Sequence, residues 1–221
     1  MTTDDPAARL AGVRAQIDRA RKLAGRSDAV ELIAVSKMHP AAVIAPLIAA
    51  GQWIFGENRV QEAQAKWPAL QAAHPDVRLA LIGRLQSNKA AEAVALFDSI
   101  HSVDRPSLVA ALAKAMDAAD RRPDCFVQVN IGDEPQKGGC AIADLAGLLE
   151  HARAAELPVT GLMALPPADV EPAPYFALLA KLARDHGLAG LSMGMSSDYP
   201  TAVTLGATHV RVGSALFGAR A

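Results

Sequence analysis

The sequence has only two cysteines, Cys125 and Cys140, and they do not form a CxxC pair. A disulfide framework cannot be built from so few cysteines. The six histidines show no HxxxH spacing, and neither cysteine lies close to a pair of histidines, so the usual zinc-ligand patterns are missing. The sequence therefore predicts neither a disulfide-rich fold nor a metal site.

Strong charge bias and long hydrophobic runs are also missing. With 22 Lys and Arg against 23 Asp and Glu, the formal net charge is −1 at pH 7, and no long basic run predicts nucleic-acid binding. No uninterrupted apolar run approaches the roughly 18 residues that a membrane span requires. The acidic, polar start of the chain does not resemble a secretory signal. We expect a cytoplasmic protein that binds neither nucleic acid nor membrane.

What the sequence does contain is a regular alternation of short apolar runs and Ala-rich helical stretches. A helical apolar spacing over residues 6–24 predicts a leading amphipathic helix. The eight predicted strands that follow are 30–36, 53–55, 79–83, 99–103, 125–130, 159–165, 190–194 and 209–213. The helices predicted between them are 41–50, 59–67, 87–97, 106–119, 142–155, 174–186 and 198–205.

This alternation predicts parallel strands joined by right-handed crossovers, as in an open doubly wound sheet or a closed barrel. Eight strands favour the barrel, and no Gly-x-Gly-x-x-Gly follows the first strand as a dinucleotide-binding sheet requires. Because the chain ends eight residues after the last predicted strand, we expect the leading helix to cover the gap left by a missing full eighth helix. The predicted fold is α/β: a single (β/α)8 TIM-type barrel domain over 1–221, with the leading helix in 1–28 and the barrel in 29–221.

Lys37 ends the first predicted strand, on the same side as Ile33 and Val35. A desolvated lysine at the top of a barrel is the nucleophile that condenses with aldehydes. The alternative is a lysine at a strand end that points into water.

The segments after predicted strands seven and eight favour phosphate binding, because barrels of this type commonly hold a phosphate there. Gly213 lets the backbone approach an anion, while Ser196 and Ser214 supply hydroxyl and N–H donors. In the alternative interpretation, Ser196 or Ser197 caps the helix that begins near Asp198.

Three further residues are candidates with open alternatives. Arg211 either points inward, where its guanidinium needs a partner to offset desolvation, or outward to a surface carboxylate. Asn58 either donates to a ligand oxygen or caps the next helix. Met163 fits the barrel core better than a ligand contact.

Eight segments occur in the order of one known family and extend from about Val30 to the end of the chain. They are Ala34-Val-Ser-Lys37, Phe55-Gly-Glu-Asn58-Arg, Ile82-Gly-Arg-Leu-Gln-Ser-Asn-Lys89, Ser102-Val-Asp-Arg105, Gln128-Val-Asn130, Gly161-Leu-Met163, Leu191-Ser-Met-Gly-Met-Ser196, and Val210-Arg-Val-Gly213 with Phe217-Gly-Ala-Arg220. On these segments the chain resembles the pyridoxal 5′-phosphate homeostasis proteins, which are similar to the N-terminal barrel of alanine racemase (the type III fold of pyridoxal phosphate proteins).

The resemblance implies pyridoxal 5′-phosphate as cofactor and a set of cofactor-binding residues: Lys37, Asn58, Met163, Ser196, Arg211, Gly213 and Ser214. Within this set it implies that Lys37 is the Schiff-base lysine, that Ser196, Gly213 and Ser214 hold the phosphate, and that Arg211 lies beside the pyridine nitrogen. A permanently charged arginine at that nitrogen makes the ring a weak electron sink.

Asn58 is implied to lie near the ring oxygen. The chain departs from the family pattern before strand three, where Leu79 and Ala80 replace an aromatic residue and a histidine, and Leu81 replaces phenylalanine. The family's Lys-x-Gly loop is present as Lys137-Gly-Gly139.

The function implied first is a non-catalytic monomer that carries the cofactor, buffers the free aldehyde and passes it transiently to apo-enzymes. A second interpretation is a racemase or lyase of low activity, but the chain has only Tyr175 and Tyr199 and no second domain to supply an opposing base. A third, a phosphosugar-binding barrel, leaves Lys37 and Arg211 without a shared purpose.

Overall fold

The computed structural model describes residues 5–218, so Met1 at the chain start and Arg220 of the last matching segment lie outside the described residues. Eight parallel strands pair in chain order, and the eighth closes on the first. The strands are β1 (Glu31–Val35), β2 (Ile54–Glu57), β3 (Arg78–Leu81), β4 (Ser99–Val103), β5 (Asp124–Val129), β6 (Val159–Ala164), β7 (Gly190–Ser192) and β8 (His209–Val212). The predicted closed barrel is confirmed.

Helices follow the strands on the outside of the barrel. They are α1 (Pro6–Leu23), α2 (Ala41–Ala49), α3 (Val60–Ala73), α4 (Ala90–Leu96), α5 (Pro106–Ala119), α6 (Leu145–Ala154), α7 (Ala173–Asp185), α8 (Tyr199–Thr204) and α9 (Ser214–Phe217). Single 3-10 turns, Ser87–Lys89 and Ile142–Asp144, precede α4 and α6. Within residues 5–218, no helix combines the length and apolarity needed to cross a bilayer.

The leading helix α1 covers the side of the barrel where the helices after β7 and β8 are short, as expected. Leu10, Val13 and Ile17 bury its apolar stripe, and α1 packs against α2, α8 and α9. The phenol of Tyr199 in α8 donates to Gln16 Oε1 at 2.7 Å. One amphipathic helix thus shields two short ones from water.

The structure differs from the prediction at two helices. The helix after β2 continues to Ala73 instead of ending at residue 67, although Pro68 lies inside it. Trp67 and Leu70 are both buried, so packing of the last two turns outweighs the backbone hydrogen bond that the proline removes. The four-residue helix α9 was not predicted.

Contacts between strands that are not neighbours show which side chains fill the barrel interior. His101 of β4 reaches Ser192 of β7, and Arg211 of β8 reaches the carbonyl of Ala164 at the end of β6. A Cβ on Gly56 would lie 2.8 Å from Ile33 Cγ2, so the interior is tightly filled near β1 and β2. The loops that follow the strands lie at the carboxyl-terminal end of this filled interior, where barrels of this type place their sites.

Candidate functional site

A cavity of about 590 Å³ opens at the carboxyl-terminal end of the barrel. Its walls come from strands β1 and β8 and from loops that follow several other strands. The lining residues are Val35, Lys37, His39, Asn58, Ile82, Leu165, Met195, Ser196, Ser197, Arg211, Gly213, Ser214 and Gly218. Six of the seven residues predicted from sequence are thus brought to one cavity.

Lys37 lies in the turn directly after β1 and is half-buried in the cavity wall. No hydrogen bond or ion pair joins its ammonium to another described residue. The next residue, Met38, has a φ of 64°, a left-handed conformation that is uncommon for a non-glycine residue. The amine therefore projects from a sharp turn, without a partner among residues 5–218.

The turn that carries Lys37 is fixed from outside by Lys66 of helix α3. The Lys66 ammonium donates to the carbonyls of Ser36 (2.9 Å) and His39 (3.1 Å), which flank the turn. It also forms ion pairs with Glu57 at 2.8 Å and Glu62 at 3.1 Å. The largely buried Lys66 ammonium thus has four acceptors. Two of them are the backbone carbonyls of Ser36 and His39, so Lys66 holds both ends of the turn in place.

Glu57 is fully buried beneath this turn. One carboxylate oxygen accepts from the Ser36 hydroxyl at 2.6 Å and from Trp67 Nε1 at 2.9 Å, while the other oxygen has no partner among the described residues. Glu62 accepts from the N–H of Met38. The strained turn is therefore supported by both carboxylates.

Arg211 points inward and is almost fully buried, with 4% of its surface exposed. Its guanidinium donates to Ser192 Oγ at 2.6 Å and to the carbonyl of Ala164 at 2.9 Å. Burial lowers the pKa of Arg211 to about 10, an effect that the charge of Asp198 opposes. It forms no ion pair with a described carboxylate, so this buried cation has only neutral acceptors and retains donors for a ligand.

The hydrogen bonds behind Arg211 form a buried polar chain. Ser192 Oγ accepts from Arg211 and lies 2.8 Å from His101 Nδ1. His101 Nε2 lies 3.0 Å from Ser99 Oγ. Burial, followed by the charges of His209 and Arg211, lowers the pKa of His101 well below its ordinary value. His101 is therefore neutral in the folded protein.

Ser196 joins the loops after β7 and β8. Its hydroxyl accepts from the N–H of Gly213 at 3.1 Å, while Asp198 accepts from the N–H of Met195. Helix α8 has no side-chain cap, so the alternative in which a serine caps this helix is wrong. Ser214 follows Gly213 directly, and its N–H has no acceptor among the described residues.

Gly213 has no side chain on the cavity side, although neither its backbone conformation nor its neighbours require a glycine there. Its φ is −114°, which any residue adopts, and a Cβ would meet Val35 only at an ordinary distance of 3.5 Å. The missing side chain therefore does not relieve strain or a clash in the protein itself. It opens space beside the hydroxyls of Ser196 and Ser214, as a cradle for a phosphate requires.

Asn58 and Met163 have different positions. Asn58 lines the cavity, and helix α3 begins with Arg59 as its uncapped N-cap residue, so the capping alternative for Asn58 is wrong. Met163 is buried in β6 and is not among the lining residues, whereas Leu165, two positions later, is. Met163 supports the wall from within the barrel.

Several site residues were missed from sequence. His39 stacks on Phe217, with ring centroids 4.3 Å apart, at the edge of the cavity. Its signal was its position two residues after Lys37. Ser192 and His101 had no signal beyond strand parity, because their hydrogen bonds join strands far apart in the chain. Among the described residues, no group of three or more His, Cys, Asp or Glu is arranged to hold a metal ion.

Comparisons with known proteins bear on the fold and on the family. A family model for the alanine racemase N-terminal domain matches residues 9–221. The chain is 42% identical over 222 residues to the pyridoxal phosphate homeostasis protein of Pseudomonas aeruginosa, covering 96% of this chain and 94% of the relative. It is 42% identical to PipY of Synechococcus elongatus PCC7942 in a structure with pyridoxal phosphate bound, with a TM-score of 0.84 and coverage of 96% and 100%.

The alanine racemase of Clostridium difficile 630 has a TM-score of 0.71 at 14% identity. The match covers 94% of this chain but 56% of the racemase. This likeness concerns the fold alone.

Proposed function

The chain belongs to the alanine racemase N-terminal domain family and, within it, to the pyridoxal phosphate homeostasis proteins, and from this premise we propose that it is a non-catalytic carrier of pyridoxal 5′-phosphate. The observation that carries the proposal is one cavity lined by an amine, a buried guanidinium and a serine-glycine cradle: Lys37, Arg211, Ser196, Gly213 and Ser214. Bound pyridoxal phosphate supplies an aldehyde that condenses reversibly with amines and a ring that withdraws electrons from them.

Lys37 supplies the amine in this proposal. It is the one lysine among the residues that line the cavity, and it has no competing hydrogen-bond partner among residues 5–218. The support from Lys66, the buried carboxylate of Glu57 and the partly exposed carboxylate of Glu62 fixes the backbone on both sides of it. Because this backbone is already fixed, less conformational entropy is lost when the Lys37 amine bonds to the cofactor.

The other residues orient the cofactor. The hydroxyls of Ser196 and Ser214 and the backbone beside Gly213 bind the phosphate, and Arg211 donates to the ring nitrogen. Asn58 donates to the ring oxygen, and Met163 contributes from within the barrel, behind the residues that line the cavity. Because an arginine does not give up its proton near neutral pH, the ring nitrogen stays unprotonated, which suits storage better than carbanion chemistry.

The position of the tyrosines supports a carrier over a racemase. Racemisation needs a second acid or base opposite the first amine. Tyr199 lies on the outer side of the barrel, bonded to Gln16, and neither Tyr199 nor Tyr175 lines the cavity. His39 is the other titratable side chain at the cavity edge, stacked on Phe217. In this proposal the protein acts as a cytoplasmic monomer that buffers the aldehyde and delivers it to apo-enzymes.

Borohydride reduction followed by peptide mapping tests the proposal. We expect the reduced protein to carry one pyridoxyl group, on Lys37, and the Lys37→Ala variant to carry none while keeping its circular dichroism spectrum. Lys181→Ala, an exposed lysine of α7, is the matched control and should be labelled like the wild type. A label on another lysine at full occupancy would overturn the assignment.

Exchange of the α-proton of D- and L-alanine in deuterated water tests the absence of turnover. We expect exchange far slower than enzymes achieve. Exchange at about 1 per second or faster would establish the racemase alternative. In that case, replacement of His39 would test whether this histidine is the second base.

A further inference from the structure

A second cavity lies beside the cofactor cavity at the same end of the barrel. It has a volume of about 770 Å³ and lies between the loops that follow β2, β3 and β4. Asn58 lines both cavities. Lys37, Arg211, Ser196 and Ser214 line only the first cavity. The second cavity is therefore not used by the proposed cofactor site.

The second cavity concentrates positive charge. Arg59, Arg84, Lys89 and Arg105 line it, together with neutral amide and hydroxyl side chains, and no carboxylate does. Lys89 pairs with Glu92 at 3.0 Å and Arg105 with Asp104, both from outside the lining. Arg59 and Arg84 form no direct ion pair with a described carboxylate, although the charge of Arg59 helps to lower the pKa of Glu62.

An anion would be favourable in this arrangement, although solvent screens the exposed side chains of Arg59 and Arg84 from one another. Like charges repel, and the whole chain has a formal net charge of −1, so its composition does not force cations together. Arg59 also occupies the N-cap of the 14-residue helix α3, the end at which a negative charge is favourable. The first-turn acid of this helix, Glu62, is directed away from the cavity to Lys66 and Met38.

The loops that form the cavity pack closely against one another. A Cβ on Gly83 would lie 2.2 Å from the carbonyl oxygen of Asn58, so the loop after β3 rests directly on the loop after β2. Arg105 holds the far side by donating to the carbonyl of Leu85 at 2.8 Å and to Ser87 Oγ at 3.2 Å. The cations are therefore carried by loops that pack against each other.

We infer that this cavity is a second anion site, which binds the phosphate group of a small molecule next to the cofactor. Arginine forks match phosphate oxygens in pairs, and the amide side chains around them donate to further oxygens. A concave site of this volume fits a phosphorylated small molecule better than a protein surface. The inference stands independently of the cofactor proposal.

Calorimetric titration with inorganic pyrophosphate tests the site. The protein is first loaded with pyridoxal phosphate, so that the cradle at Ser196 is blocked, and ionic strength is kept constant because salt screens such contacts. We compare the wild type with Arg59→Ser/Arg84→Ser. The control, Arg19→Ser/Arg153→Ser, removes two exposed arginines elsewhere and changes the net charge equally.

We expect saturable binding to the wild type and to the control, and an affinity at least about 10-fold weaker in the Arg59→Ser/Arg84→Ser variant, as the loss of charge-assisted hydrogen bonds predicts. The visible absorbance of bound cofactor should be the same in all three proteins. Equal weakening in the control, or no saturable heat in the wild type, would overturn the site.

Two additional arms keep the outcome separate from the cofactor proposal. If the protein does not take up pyridoxal phosphate, it is titrated with pyrophosphate directly, and the substitution Ser196→Ala removes the cradle that the cofactor would otherwise block. The affinity for pyrophosphate should still depend on Arg59 and Arg84. Phenyl phosphate tests a phosphate ester and should compete with pyrophosphate. Succinate tests a carboxylate ligand. Tighter binding of succinate than of pyrophosphate would indicate that the cavity binds carboxylates, such as those of an acidic peptide, and would overturn the phosphate inference.

Discussion

The hydroxyl of Ser196 has two uses that a substitution separates. It accepts from the Gly213 N–H in the structure, and in the proposed function it donates to the cofactor phosphate. We expect Ser196→Ala to weaken binding of pyridoxal phosphate about 10- to 150-fold, the loss of roughly 1.5–3 kcal/mol for a hydrogen bond to a charged group. Fluorescence titration with pyridoxal phosphate and with pyridoxal measures the effect.

Binding of pyridoxal should change little in Ser196→Ala, because pyridoxal has no phosphate to lose. Ser107→Ala, at an exposed position of α5, is the matched control and should leave both affinities unchanged. If the variant lost affinity for both vitamers equally, Ser196 would act through the fold of the loops and not through the phosphate.

The chemistry of single residues was predicted more reliably than their surroundings. Strand parity placed Lys37 on the side of Ile33 and Val35 but left the direction of Arg211 open, and in the structure both residues line the cavity. The choice between capping and ligand binding at Asn58 and Ser196 was left open by the residues, because both uses need the same side chains at a helix start. In the structure, helices α3 and α8 have no side-chain cap, and this excludes the capping use of Asn58 and Ser196.

The contact between helix α3 and the turn after β1 depends on a buried ion pair. The Nζ of Lys66 lies 2.8 Å from Oε1 of fully buried Glu57, and only 11% of the lysine side chain is exposed. Lys66→Met should lower the free energy of unfolding by about 3–5 kcal/mol, because it leaves a buried carboxylate without its cation. Urea unfolding at neutral pH measures this loss.

The double variant Glu57→Gln/Lys66→Met should recover part of that stability, since it removes the unpaired charge. The control is Lys181→Met, which breaks an exposed i,i+4 pair with Asp185 and should cost at most about 0.5 kcal/mol. A similarly small loss in Lys66→Met would show that the turn is held without the ion pair.

Secondary structure was predictable because each strand is a short apolar run between turn residues. Strand β4 and helix α5 match their predicted bounds. The end of helix α3 was wrong because Pro68 indicates a stop locally, whereas Trp67 and Leu70 are buried against the barrel. The ion pair between Lys66 and Glu57 could not be predicted, since Glu57 comes from β2 and not from the helix that carries Lys66.

The barrel as a whole has a polar interior at mid-height, and this gives its stability a pH dependence. His101 is buried and neutral, with Ser99 and Ser192 bonded to its ring nitrogens. Its other charged or titratable neighbours are Arg211 and His209, which face it from β8. His209 pairs with Glu31, whose pKa is lowered to about 2, chiefly by that hydrogen bond. Glu31 therefore stays ionised well below pH 5.

The unfolded chain takes up a proton at His101 near pH 6.5, whereas the folded protein does not, because its pKa is lower. The unfolded state thus binds more protons as the pH falls, and the free energy of unfolding should fall by about 2 kcal/mol between pH 7 and pH 5 from this residue. Urea unfolding at both pH values measures it, and His101→Gln should be less stable overall but lack this part of the decrease. NMR of the wild-type ring should show no titration of His101 in the same range, a test that holds even if His101→Gln does not fold. An equal decrease in both proteins, or a His101 ring that titrates near pH 6.5 in the folded state, would contradict a neutral histidine behind Arg211.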